Sequence, residues 1–252
     1  MTTKLITSKQ KSQIVRFVEA GAANAAWEAL ESFKQLTSKD AQSLLTKGGN
    51  FQGHIRPYII EAIGKFSTNK HPSAIQLEKY FQEVFELKVD LSYTQFPEKF
   101  GFATFMAVPP TLDEDQIMKA LTIKFGVNPY MYMAAEKINR EAEQKRPEGL
   151  YVFAHVGGDE PDAQHLGKSY DDAIASGMLF LNAKEYLLVS GFHRWLKGHF
   201  MDKKGWTRTS SLWSDGFLVR GRWFEALRSL YLSDGYRGYC RPEDGPRELF
   251  LG

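Results

Sequence analysis

The sequence predicts an α+β protein with a helical N-terminal module, a mixed middle region and a C-terminal helix followed by an antiparallel β-meander. Three observations lead there. Apolar residues recur at helical spacing through residues 8–66. Helix-capping pairs stand before apolar runs at Thr111/Glu114, Ser169/Asp172 and Asn182/Glu185. Beyond residue 205, β-branched and aromatic runs are punctuated by Ser-Asp-Gly at 214–216 and again at 233–235.

In chain order, residues 1–70 read as a helical module of four short helices, with Gly21, Gly48, Gly49 and Gly53 between them. Residues 71–148 read as a mixed α/β region. It opens on a helix from Pro72 that carries Leu77, Tyr80, Phe81 and Val84, followed by strands at Lys88–Tyr93 and Phe100–Val108. Thr111 and Glu114 then cap a helix with Ile117, Met118, Leu121 and Phe125 on its buried stripe, and a second helix is expected from Tyr130 to about Lys145. Residues 149–252 read as an α+β region. A strand over Gly149–Val156 leads into an acidic loop with Asp159, Glu160 and Asp162, and Asn182 opens a helix whose Leu188, Phe192, Trp195, Leu196 and His199 share one face. The meander follows as Trp206–Trp213, Phe217–Phe224 and Leu227–Leu232.

Composition narrows the function classes. With 43% hydrophobic and 25% charged residues in 252, the chain can bury a core without disulfides or structural metal. Its single cysteine, Cys240, closes no intramolecular bridge, which favours a reducing, cytoplasmic location. No apolar run is long enough for a membrane helix, and no motif specifies NAD, ATP, haem or PLP, so no cofactor is expected. The formal net charge of +2 gives no bulk attraction to polyanions, so a polyanion site has to be local.

The last quarter supplies a local excess, with 11 basic against 7 acidic groups in residues 187–252. Four of the five tryptophans lie between 195 and 223. In an extended Phe217–Phe224, Arg220 and Arg222 share one face and Val219 and Trp223 the other. Guanidiniums bind phosphates through a planar fork, and exposed rings stack on unpaired bases. The favoured function is therefore a non-enzymatic binding or accessory protein. Arg208, Arg220, Arg222, Arg237, Arg194, Lys197 and Trp213 would contact single-stranded nucleic acid or an acidic protein surface. The alternatives are a structural assembly subunit and a metal-assisted hydrolase using the acidic loop 159–162. No metal-ligand motif is present, the three loop carboxylates are expected to diverge into solvent, and His193 and His199, six apart on one helix, would face different sides. No catalytic or metal residue is assigned on this basis.

Overall fold

The computed structural model describes residues 71–251 except Tyr93. The helical module read in residues 1–70 lies outside the described residues. The described chain is α+β, built from four helices and two sheets. Helix α1 (Pro72–Phe85) starts on a proline, where a missing N–H costs nothing, and buries Leu77, Tyr80 and Phe81 completely. Each such side chain stabilises the fold by roughly 1.5–3 kcal/mol. Strand β1 (Thr104–Val108) follows, then α2 (Glu114–Phe125) and β2 (Asn128–Met131). After β3 (Tyr151–His155) come α3 (Tyr170–Ala175), α4 (Ala183–Lys197), β4 (Thr207–Leu212), β5 (Leu218–Phe224), β6 (Ser229–Gly235) and the short β7 (Gly245–Pro246) and β8 (Leu249–Phe250).

One sheet runs β1-β3-β8 and is antiparallel throughout. The other runs β2-β6-β5-β4-β7. Its β4–β5–β6 centre is the expected antiparallel meander, while β2 and β7 add to its edges in parallel. Strands from both sides of residue 148 therefore contribute to both sheets. Helix α4 packs against α2, β1, β4 and β5, and the Tyr80 hydroxyl donates to the Leu188 carbonyl at 3.1 Å, tying α1 to it. Residues from α1, α2, α4, β1, β3, β5, β6 and β8 form one large apolar core, and Leu212 of β4 joins a smaller cluster around Tyr170 and Phe180.

Several local expectations are corrected. The cap of α2 is Asp113 with Gln116, a reciprocal pair at 2.8 and 2.9 Å, rather than Thr111 with Glu114. Glu114 is instead buried and held by both Arg140 terminal nitrogens. Residues 88–92 form no strand. The helix expected from Tyr130 to Lys145 is replaced by β2 and two short 3-10 turns, because Asn128–Met131 pairs with Ser229–Leu232 and tertiary pairing overrides helix propensity. Ser214-Asp215-Gly216 does join β4 to β5. The second copy, Ser233-Asp234-Gly235, lies inside β6, and the β5–β6 connection is a 3-10 turn ending on Arg228 in the left-handed region. Among the described residues no helix is long and apolar enough to cross a membrane.

Candidate metal centre

Helix α4 ends where a polar site begins. Asn182 and Glu185 satisfy its first free N–H groups in a reciprocal cap at 2.8 and 2.7 Å, so the helix starts firmly at Ala183. Gly198 terminates it at φ +81°, a left-handed conformation that costs a side-chain-bearing residue free energy, with Arg194 and Lys197 in the last turn. The chain then doubles back. His199 is the first residue after that turn, and the next two, Phe200 and Met201, are buried, Phe200 stacking on Trp223 at 4.4 Å. His199 is thus held between a helix stop and a buried anchor.

The reversal brings His199 against His193, on the last turns of α4. Their Nε2 atoms lie 3.4 Å apart and the rings meet edge to face. The sequence reading, which kept both on one continuous helix and set them on different sides, is overturned by the turn at Gly198. The missed signal was a glycine after two basic last-turn residues, a helix-stop pattern.

Asp159 completes the group from the other side. It follows β3 through Gly157 and Gly158, both at positive φ. A Cβ on Gly157 would stand 2.5 Å from Thr104 Oγ1, so the turn passes β1 too closely for any side chain. The loop is fixed by partners deep in the fold. The Arg247 guanidinium donates to the carbonyls of Gly157 and Gly158 at 3.2 and 3.3 Å, and the Asp202 N–H donates to the Asp159 carbonyl at 2.6 Å. Arg247 in turn pairs with Asp202 at 2.5 Å, and Thr207 bridges the two.

As expected, the three loop carboxylates do not converge. Glu160 accepts from the Lys204 and Gly205 N–H groups, and Asp162, buried rather than solvated, accepts from the Glu248 N–H at 2.8 Å. Asp159 alone turns to the histidines, with Oδ1 3.2 Å from His193 Nε2 and Oδ2 3.4 Å from His199 Nε2. His165, the other histidine near this loop, pairs with Glu248 instead.

The three donor separations of 3.2, 3.4 and 3.4 Å have a chemical meaning. The two Asp159 contacts use different oxygens of its carboxylate, and with one ligand atom taken from each residue the three donors of Asp159, His193 and His199 lie within 4.8 Å of one another, close enough to share one ion. Two imidazoles and one carboxylate suit a divalent transition ion. Burial holds His193 below its ordinary pKa, against the opposing pull of Asp159, which favours the neutral ring that ligates.

His155, at the end of β3, lies beside this group. The Gly157 N–H donates to its Nδ1 at 3.1 Å, so the neutral ring carries its proton on Nε2. That Nε2 is buried with no hydrogen-bond partner among the described residues, although the side chain is only 2% exposed. An unsatisfied buried donor costs about 1–3 kcal/mol. Burial, with the nearby Arg247 and His193 charges adding to it, pushes the ring down to about 3, so it is neutral at physiological pH.

The residues expected to form one exposed basic patch do not share one exposed surface, although Arg208 and Arg220 stand opposite each other across β4 and β5. Arg208 is buried, its guanidinium donating to the carbonyls of Tyr236 and Tyr239 and to Cys240 Sγ. Burial raises the Cys240 thiol above its ordinary value, so a thiolate is disfavoured. Trp213 is wholly buried: it stands just after β4, bridges to Ile138 and belongs to the large apolar core. Arg220 and Arg222 do share a face of β5 opposite Val219 and Trp223, half-buried and stacked on rings: Arg220 over Trp206 at 4.3 Å, Arg222 over Phe224 at 4.8 Å. Arg237 pairs with Asp171 at 2.7 Å. Arg194 lies over Phe125 and Phe200, and Lys197 is exposed at the rim of a cavity that Asp159 and His193 line.

No family model, curated protein or solved structure matches the chain.

Proposed function

We propose that this protein is a metal-dependent enzyme of the hydrolytic class, holding one divalent transition ion through Asp159, His193 and His199. The observation that carries this reading is the convergence of three ligating side chains, with donor atoms within 4.8 Å of one another, brought together from a loop, a helix end and the turn after it. Three protein ligands leave room for a water molecule, and an ion of this kind lowers the pKa of such a water to about 7, making hydroxide available at neutral pH. The Arg247–Asp202 pair and the Gly198 turn hold the ligands rather than react. The single cysteine agrees with a reducing, cytoplasmic location.

The reading is tested by hydrolysis of p-nitrophenyl acetate and p-nitrophenyl phosphate by the chain loaded with Zn²⁺ or Mn²⁺. A rate that chelation removes, that added metal restores and that His193→Ala abolishes supports it. A rate indifferent to chelation contradicts it.

A second reading keeps the arginines. The ring-stacked Arg220 and Arg222 offer a small basic and aromatic face for single-stranded nucleic acid or an acidic protein surface. Replacing both by Ala should weaken binding of a labelled single strand and reduce its salt dependence, measured by anisotropy at two ionic strengths.

A further inference from the structure

We infer that the outer face of β5, β6 and β2 binds single-stranded nucleic acid, with phosphate on Arg220 and Arg222 and an unpaired base on Tyr130. The inference rests on the second reading above, chooses between its two partners and adds the residue that holds a base.

Strand register builds the surface. Tyr130 stands opposite Tyr231 across β2 and β6, and Tyr231 stands opposite Arg222 across β6 and β5. Residues directly opposite share a face, so three neighbouring strands present tyrosine, tyrosine and arginine in one row. Leu230, Leu232 and Trp223, which alternate with them, belong to the core on the other side. Tyr130 and Tyr231 lie 4.6 Å apart at 30°, and Tyr231 meets Phe224, the ring under Arg222, also at 4.6 Å. Strand β2 is the edge of its sheet among the described residues, and Tyr130 is 42% exposed.

Charge decides the partner. Arg220 and Arg222 make no ion pair among the described residues, whereas Arg140, Arg146, Arg237 and Arg247 each hold a carboxylate. One terminal nitrogen of Arg222 donates to the Lys203 carbonyl at 2.9 Å. Only the two Nε atoms are buried without a partner, so the remaining terminal nitrogens are open to solvent. Asp234 and Asp244, whose charges reach Arg220, accept from the Ser233 hydroxyl at 3.1 Å and the Trp206 N–H at 2.9 Å. Stacking on Trp206 and Phe224 holds both planar forks in place, and such forks match phosphate. An acidic protein surface would use the guanidiniums and leave Tyr130 without a role. A duplex offers phosphates but keeps its base faces stacked on one another. A single strand supplies both, and Tyr130 stands two strand spacings from Arg222, ~10 Å, a span that a short extended strand covers.

Fluorescence anisotropy of a labelled oligothymidylate with the full chain at two ionic strengths tests this, with a thermal melt of each variant as the folding control. The wild type should bind the single strand at least tenfold more tightly than a duplex of equal length. Arg220→Ala with Arg222→Ala should weaken binding and flatten its salt dependence. Tyr130→Leu should weaken binding about fivefold or more with the salt dependence kept, and Tyr130→Phe should bind as the wild type does. In the wild-type chain, a strand carrying iodouracil should photo-crosslink to Tyr130, located by peptide mass spectrometry. Binding that needs the arginine pair but is unchanged in Tyr130→Leu, or crosslinks confined to other residues, would overturn this inference and leave the basic face. Displacement of the strand by polyglutamate at matched charge would overturn it in favour of an acidic protein partner. Binding that the arginine pair does not affect, or no binding at all, would overturn the second reading and this inference together.

Discussion

The Arg247 guanidinium lies 2.5 Å from the Asp202 carboxylate with both side chains wholly buried, and the same guanidinium holds the two carbonyls that precede Asp159. A buried pair of this kind contributes little net stability against an apolar replacement, but removing one partner strands a charge. Arg247→Met should destabilise the chain by about 3–5 kcal/mol in urea denaturation, and replacing both residues by apolar ones of similar volume should recover much of that loss. In either variant that still folds, the Asp159 loop loses its anchor and metal affinity should fall. Unchanged affinity in the double variant would mean that the loop is held by its other contacts.

Gly198 makes the turn that sets His199 against His193. At φ +81° an alanine costs about 1–2 kcal/mol. Nothing stands within 4 Å of a Cβ placed there, so the loss comes from backbone conformation and not from a clash. Gly198→Ala should lower Tm modestly and metal affinity strongly, since any relaxation moves His199 away from His193. Gly198→Asn, which tolerates the left-handed region better, should fall between the two.

The cap of α2 separates two sequence readings. Asp113→Ala should cost about 1 kcal/mol, while Thr111→Ala should be close to neutral, as chemical denaturation of the two variants will show.

Acid stability should carry the signature of His155. Its pKa falls from 6.5 to about 3 on folding, so between those values the unfolded chain takes up a proton that the folded chain does not. The contribution of the neutral ring is complete above about pH 6.5 and is lost progressively as pH falls toward 3, by at most ~5 kcal/mol on these values. Metal-free wild type should therefore lose stability through this window more steeply than His155→Phe. Parallel pH profiles would show that the ring is not buried in its neutral form.

Much of this architecture can be read from local chemistry. The Asn182–Glu185 cap and the β4–β5 hairpin at Ser214-Asp215-Gly216 follow from residue types within a few positions of one another, whereas the face expected for α4 holds for Leu188 and Phe192 but not for the exposed Leu196 or for His199, which lies beyond the helix. What could not be read depended on distant partners. The Tyr130 segment is a strand because β6 lies beside it, and Arg208 is buried because β5 and residues 236–240 enclose it. The candidate site was divided in the same way. Asp159 stood out as part of an acidic loop, but its pairing with His193 joins residues 34 positions apart, and no spacing motif records that. His193 and His199 were close enough in sequence to be considered together, and one glycine decided between opposite sides of a helix and adjacent rings. Trp213 and Arg208 show the converse error: strand alternation says which residues share a face, but not whether that face is solvent or core.

Metal stoichiometry tests the central claim most directly. Equilibrium dialysis of the metal-free chain against Zn²⁺, with elemental analysis of bound metal, should give one ion per chain. Asp159→Ala, His193→Ala and His199→Ala should each weaken binding at least tenfold, while His165→Ala, which removes a histidine paired with Glu248, should bind as wild type does. A wild-type chain that retains no zinc, or one whose zinc is indifferent to all three substitutions, would contradict the account.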